Sequence, residues 1–177
     1  MFRVKTMKKL ILCAFAALLV ACAPMNTGDS GAAPKPSKKM LKGTWQVTNL
    51  RFVGHEGIYK ADLFDVADSA CFKGSEWVFI PNNGTGRFSL FTPNSTCMAS
   101  SHRILWTFYQ PGDGSYQFQF KFVDQKGKPL DAANRGYRLT IDDLNAATAV
   151  MRVPTTYQGN PFEVVMTFTK VSDDINL

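Results

Sequence analysis

Residues 115–123 set Tyr116, Phe118, Phe120 and Phe122 against Gln117, Gln119 and Lys121, so apolar and polar side chains alternate with a period of two. Successive side chains point to opposite faces only in an extended chain, which makes this segment a β-strand with one buried face and one wet face. Ile104, Trp106 and Phe108 repeat the period just upstream, and Pro111-Gly112-Asp113-Gly114 supplies the reverse turn of a hairpin. Trp77 and Phe79 precede a second turn, Pro81-Asn82-Asn83-Gly84, after which residues 87–91 run back. Further on, Tyr137, Leu139 and Ile141 lead into a turn at Asp142-Asp143-Leu144-Asn145, followed by residues 148–153 and a loop with two prolines at 154–161. The last run, 162–171, alternates Phe162, Val164, Met166 and Phe168 with Glu163, Thr167 and Thr169. Together with residues 44–53 these segments make eight predicted strands.

Helical periodicity is confined to two short candidates. One is a turn at residues 38–41. The other is residues 59–68, where Ala61, Leu63, Phe64 and Ala67 suit a short amphipathic element or, equally, a loop. Gly, Pro and Asn clusters interrupt the chain every ten residues or so, which suits antiparallel neighbours joined by short turns and excludes parallel units with crossover helices. The expected class is therefore all-β with little helix. An eight-stranded antiparallel up-and-down barrel leaves no unpaired edge, and a two-sheet sandwich would bury the same faces.

The amino-terminal segment has a different character. Arg3, Lys5, Lys8 and Lys9 precede an apolar run from Leu10 to Val20 that ends in Leu19-Val20-Ala21-Cys22. A basic start, a short apolar stretch and small residues are the parts of a secretion signal, and the run is about half the ~20 residues a membrane-spanning helix needs. The motif resembles a bacterial lipobox, which implies cleavage before Cys22 and acylation of that thiol. Residues 1–21 are then signal, 22–40 a tether rich in Ala, Pro, Gly, Ser and Lys, and 41–177 the folded domain. The formal charge of +6 is misleading: seven of the 20 cations and one of the 14 acids precede Leu41, leaving 13 of each in the domain. That balance, with no run of interleaved cations and aromatics, gives no support to nucleic-acid binding.

Cys13 lies in the signal and Cys22 carries the lipid, so Cys71 and Cys97 form the pair available for a disulfide in an oxidising compartment. A metal reading would recruit His102 and His55 beside Cys97, but none of the tight ligand spacings that give such readings force is present. Neither metal nor cofactor is expected. His55 has Glu56 beside it, and His102 has Ser100 and Ser101. Neighbours along an extended chain point to different sides, so neither makes a dyad, and no nucleophile elbow or phosphate loop occurs. No catalytic residues are assigned and no enzymatic activity is expected.

Gly43-Thr44-Trp45, at the start of the first strand, resembles the G-x-W motif that opens lipocalins, where the Trp plugs the closed end of the barrel. More widely, the chain resembles the lipocalin-like lipoproteins of Bacteroidetes bacteria. The residues that carry this are Leu41-Lys42-Gly43-Thr44-Trp45, Cys71 ahead of Trp77-Val78-Phe79, the Asn83-Gly84-Thr85-Gly86 turn, Cys97 ahead of Trp106-Thr107-Phe108, and Phe168-Thr169-Lys170-Val171. The second lipocalin motif, of T-D-Y type, is absent, and Arg152 and Lys170 are the candidates for the cation that packs across the Trp. The resemblance implies a barrel anchored to the outer membrane of the cell envelope, binding a small apolar or amphipathic ligand in or at its mouth. Trp106, Phe108, Tyr116, Phe118 and Tyr137 are the candidate ligand contacts; if these and Phe120 point inward they crowd the interior, which favours a small cavity or a site at the open mouth. The alternative is a filled barrel that contacts another envelope protein through residues 54–74 and 154–161, with Tyr157. Asp68-Ser69-Ala70 further resembles an O-glycosylation signal of that bacterial group, which makes Ser69 a candidate acceptor.

Overall fold

The computed structural model describes residues 35–54, 60–92, 95–157 and 159–175. The predicted signal, Cys22, the tether as far as residue 34, and His55 with Glu56 lie outside the described residues. Strands follow in the order β1 (Gly43–Val53), β2 (Asp62–Leu63), β3 (Ala67–Asp68), β4 (Glu76–Ile80), β5 (Thr85–Leu90), β6 (Ser100–Tyr109), β7 (Tyr116–Phe122), β8 (Tyr137–Leu144), β9 (Thr148–Tyr157) and β10 (Asn160–Ser172). Two 3-10 turns, Lys38–Leu41 and Ser69–Phe72, are the helical elements among the described residues.

β1 and β4–β10 close a barrel in which every strand is antiparallel to its neighbours, and β1 seals the ring by pairing with β4 on one side and β10 on the other. The fold is an eight-stranded antiparallel up-and-down barrel; closure through β1 distinguishes it from the sandwich. The short β2–β3 hairpin stands apart from the ring. The period-two pattern translates directly into burial. Trp45, Val47, Trp77, Phe79, Phe88, Ile104, Phe118, Leu139, Val164, Met166 and Phe168 face the axis and expose almost nothing.

One end of the barrel is closed by the turn before β1. Leu41 is fully buried, and the Trp45 indole Nε1–H donates to its carbonyl at 2.9 Å. Gly43 makes the approach possible. Its φ of +112° is costly for any residue with a side chain, and an added Cβ would collide with the Ser172 carbonyl oxygen of β10. Of the two cations considered for the Trp, Lys170 takes the place: its Nζ lies 5.1 Å from the Trp45 ring centroid. Arg152 is instead on the outer wall, bound to Asp142 and Glu163, each at 2.7 Å.

At the other end, the β2–β3 hairpin and the 69–72 turn lie across the opening. The Cys71–Cys97 disulfide ties them to the segment between β5 and β6, with Cα atoms 5.4 Å apart.

Three local expectations are corrected. Residues 59–68 hold no amphipathic helix: among those described, Asp62 pairs with Asp68 and Leu63 with Ala67 around a tight turn. Residues 154–161 are not a loop, because β9 and β10 continue pairing through Pro154 opposite Glu163 and Pro161 opposite Thr156. Both prolines sit where the ribbon has outrun β8 and β1, so the missing N–H deprives no third strand of a partner. Asp142 and Asp143 are in β8, at a register shift, and the turn begins at Asn145.

Two stability measurements follow. Trp45→Ala empties the closed end and should cost about 3–5 kcal/mol in denaturant unfolding. Replacing both Cys71 and Cys97 by Ala frees a loop spanning 26 residues of sequence, which should cost about 3 kcal/mol on the chain-entropy estimate.

Candidate functional site

Aromatic rings occupy the barrel axis. Trp77 stacks on Phe88 with centroids 4.4 Å apart and meets the edges of Phe168 and Phe120 at 5.6 and 6.0 Å. Toward the closed end, Phe79 contacts both Trp106 and Phe118 at 5.5 Å, and those two stack at 5.6 Å. Each such pair adds roughly 0.5–1.5 kcal/mol to the burial of the rings, so this is a cohesive filling.

Most of the candidate ligand contacts belong to that filling. Phe118 and Trp106 are buried, and the Trp106 Nε1–H donates to the Thr85 carbonyl at 2.7 Å while Lys38 Nζ lies 4.9 Å from its ring. Phe108 packs on Trp106 and Phe118 at 6.0 and 6.4 Å, and Tyr116 packs half-buried against the same core. Tyr137 alone among these five lies at the open end, where it meets the tip of the β2–β3 hairpin.

That tip is made by Phe64 and Asp65, both with left-handed backbone, φ 58° and 56°. Two consecutive positive φ values suit the twist of a tight hairpin but normally call for Asn or Gly, so the turn is strained. In return the Phe64 ring wedges into the mouth, 5.0 Å from Phe120, 5.4 Å from both Phe72 and Tyr137, and 6.2 Å from Trp77. Asp65 holds the wedge down by accepting a hydrogen bond from the Tyr137 hydroxyl at 3.0 Å.

Beside this wedge a pocket of about 450 Å³ remains, lined by Phe64, Val66, His102, Phe122, Leu130 and Tyr137, with Asp65, Asp131 and Arg135 at its polar margin. A smaller cleft of about 240 Å³ opens on the other flank of the hairpin, against Val153 and Pro154. Burial and the bond to Asp65 push the Tyr137 phenol up to about 12, so it remains a neutral donor at physiological pH. Burial lowers the His102 imidazole below 6.5, which favours the neutral ring that stacks on Phe88 at 5.0 Å and lies 5.3 Å from Phe122. The Asp131 carboxyl is held below its ordinary range by the Ala133 N–H and by Arg135, which it meets at 2.6 Å. The walls thus present aromatic surface, the Tyr137 hydroxyl and the His102 imidazole, the Asp65 carboxyl group and the Asp131–Arg135 ion pair.

His102 Nε2 lies 3.1 Å from Ser100 Oγ, whereas the Ser101 hydroxyl is on the outer wall, bonded to Ser89 at 3.2 Å. Among the described residues the hydrogen-bond partner of His102 is the Ser100 hydroxyl and not a carboxylate. Cys97 is consumed in its disulfide, and no cluster of three or more metal-ligating side chains occurs among the described residues. Ser69 is 1 % exposed, with its hydroxyl enclosed and without a partner among the described residues, while Asp68 caps the turn by accepting from the Ala70 N–H at 2.8 Å. A sugar on Ser69 would require the turn to move. Phe64, Asp65, Asp131 and Arg135 are residues of this candidate site that sequence reasoning missed. A turn built on Phe-Asp carries no Gly or Asn signal, and Leu63, Phe64 and Ala67 fit a helical spacing equally well.

No protein-family model matches the chain, and no curated protein matches it. Among solved structures, the chain is similar to bovine odorant-binding protein in complex with a selenium-containing odorant, at 15 % identity over 81 % of this chain and 78 % of that one, with a TM-score of 0.42. The same protein with its natural ligand gives 16 % identity over 80 % and 77 %, TM-score 0.42, and a deswapped triple mutant gives 17 % over 75 % and 74 %, TM-score 0.40. The topology itself defines the class: a closed eight-stranded up-and-down barrel, the architecture of lipocalins and streptavidin, here with a ring-packed axis and its mouth covered by a hairpin.

The site predicts a pH effect on stability. A neutral His102 in the folded state means that the unfolded chain takes up its proton first as pH falls. Stability is therefore full above pH 6.5 and declines below it, until pH drops under the lowered folded value. Thermal midpoints recorded between pH 7.5 and 5 should fall in the native chain, and fall less in His102→Phe, which keeps a ring between Phe88 and Phe122.

Proposed function

We propose that this chain is a lipid-anchored, non-enzymatic barrel protein of the bacterial outer membrane, lipocalin-like in type, that binds a small apolar or amphipathic molecule at its mouth. The observation that carries the reading is the displacement of free space from axis to rim. Rings fill the interior of the barrel, while a pocket of about 450 Å³ with an aromatic wall and a few polar groups remains beside the Phe64 wedge. A volume of that size at the mouth of a barrel suits a compact ligand. The Tyr137 hydroxyl and the His102 imidazole, both neutral, provide the polar contacts, and the Phe64, Phe122 and Tyr137 rings the apolar ones. Cleavage before Cys22 and acylation of its sulfur account for the basic start, the short apolar run and the Ala-Cys junction. The stretch after Cys22, as far as the Lys38–Leu41 turn that packs on the barrel, then acts as the tether.

The second reading is that the mouth docks another envelope protein. Met98, Leu130 and Phe91 favour it, being 83 %, 64 % and 50 % exposed and all placed at the open end.

Native mass spectrometry of protein extracted from membranes tests both parts. The expected species carries acyl mass on a chain beginning at Cys22, lost in Cys22→Ser, together with a non-covalent small molecule whose occupancy drops in Tyr137→Ala. An unacylated chain would contradict the anchor. A stoichiometric protein partner with no small molecule would replace the first reading by the second.

A further inference from the structure

The outer wall of the barrel holds a groove that the mouth does not account for. It runs over β6, β7 and β8, has a volume of about 460 Å³, and is lined by the outward side chains of Leu105, Thr107, Gln119, Lys121, Asn134 and Arg138 together with Trp106, Phe120 and Tyr137, the last shared with the mouth pocket, and no carboxylate is in its lining. Ladder register explains the grouping. Lys121 pairs with Leu105 and Gln119 with Arg138, so Lys121 and Arg138 are diagonal neighbours on one face, about 7–8 Å apart at the backbone.

Several cations elsewhere on the surface have a carboxylate partner. Arg152 binds Asp142 and Glu163, Arg135 binds Asp131, and Arg87 lies 3.8 Å from Glu76. In the groove, Lys121 Nζ donates to the Asn134 side-chain carbonyl at 2.9 Å, a neutral partner, and among the described residues neither Lys121 nor Arg138 has a carboxylate within ion-pair distance. Two like charges on adjacent positions of a sheet repel.

We propose that this groove is a site for a phosphate group carrying a short apolar substituent. A phosphate bridges a span of this size, takes a bidentate contact from the Arg138 guanidinium and a point charge from Lys121, and accepts further bonds from the Gln119 and Asn134 amides. Leu105 supplies the apolar floor for the substituent. The same chemistry is offered by a phospholipid headgroup at the membrane and by a free phosphomonoester.

The test is calorimetric titration of the full chain at low ionic strength with dihexanoylphosphatidic acid, glycerol 3-phosphate and dihexanoylphosphatidylcholine. The phosphatidic acid should bind, more weakly as salt is raised. The double substitution Lys121→Met with Arg138→Met should weaken it by about tenfold or more. Lys121→Arg should retain binding, and so should Leu130→Ser, which alters only the mouth. Glycerol 3-phosphate binding as tightly as the lipid would assign the site to a soluble phosphomonoester, and much weaker binding would assign it to a lipid headgroup. Binding of the choline lipid equal to that of phosphatidic acid, unchanged affinity in the double variant, loss of affinity in Leu130→Ser alone, or no binding at all would overturn the proposal.

Discussion

Everything in this structure depends on β1 being hydrogen-bonded on both edges. Trp45 stands opposite Trp77 of β4 and opposite Lys170 of β10, so the strand that closes the ring also places the residue that plugs it. A sheet of eight strands left open would expose two rows of backbone donors and acceptors. Closure removes both and fixes the direction in which every second side chain points. The register shifts in the β1–β10 pairing, at 44/45 and between 47 and 49, let the strand bend around the closed end without losing the inward face.

Once that inward face is specified, side-chain size decides what the barrel can hold. An eight-stranded ring is only wide enough for side chains or for one small ligand. Here the axis receives Trp45, Trp77, Phe79, Phe88, Phe118 and Phe168, each almost fully buried. Stacked and edge-to-face ring contacts run from Phe79, Trp106 and Phe118 through Trp77 and Phe88 to the wedge at Phe64, which leaves the rim as the free surface a ligand meets. The hairpin that carries Phe64 is strained, and its hold on the mouth is local: one hydrogen bond from Tyr137, four ring contacts and the nearby disulfide.

The strands were largely legible in the sequence because period two is a geometric consequence of extended backbone, whereas the choice of a barrel over a sandwich rested on the resemblance carried by Gly43-Thr44-Trp45 and the motifs after it. The alternation at 115–123 needed no context to be read as a strand with one greasy face, and Cys71 with Cys97 followed from counting thiols. Legibility failed where tertiary neighbours decide. Pro154 and Pro161 looked like loop residues, since nothing local shows that the β9–β10 ribbon outruns the strands beside it. Residues 62–68 fitted a helical spacing; packing against the mouth, not propensity, makes them a hairpin. Lys170 and Arg152 were equal candidates for the cation over Trp45, and only register separates the one at the plug from the one on the wall. For the aromatic candidates for ligand contact, strand period put them on one face, but the distance of each from the mouth depends on the strand tilt, which no sequence pattern reports.

The central claim is that ring packing leaves the axis solid and moves the free space to the rim. Xenon under pressure enters dry apolar cavities without chemical preference, so its anomalous signal in crystals maps such space directly. The account predicts xenon beside Phe64, Phe122 and Tyr137 and none between Trp45 and Trp77. A strong xenon peak on the axis, among Phe79, Trp106 and Phe118, would contradict it.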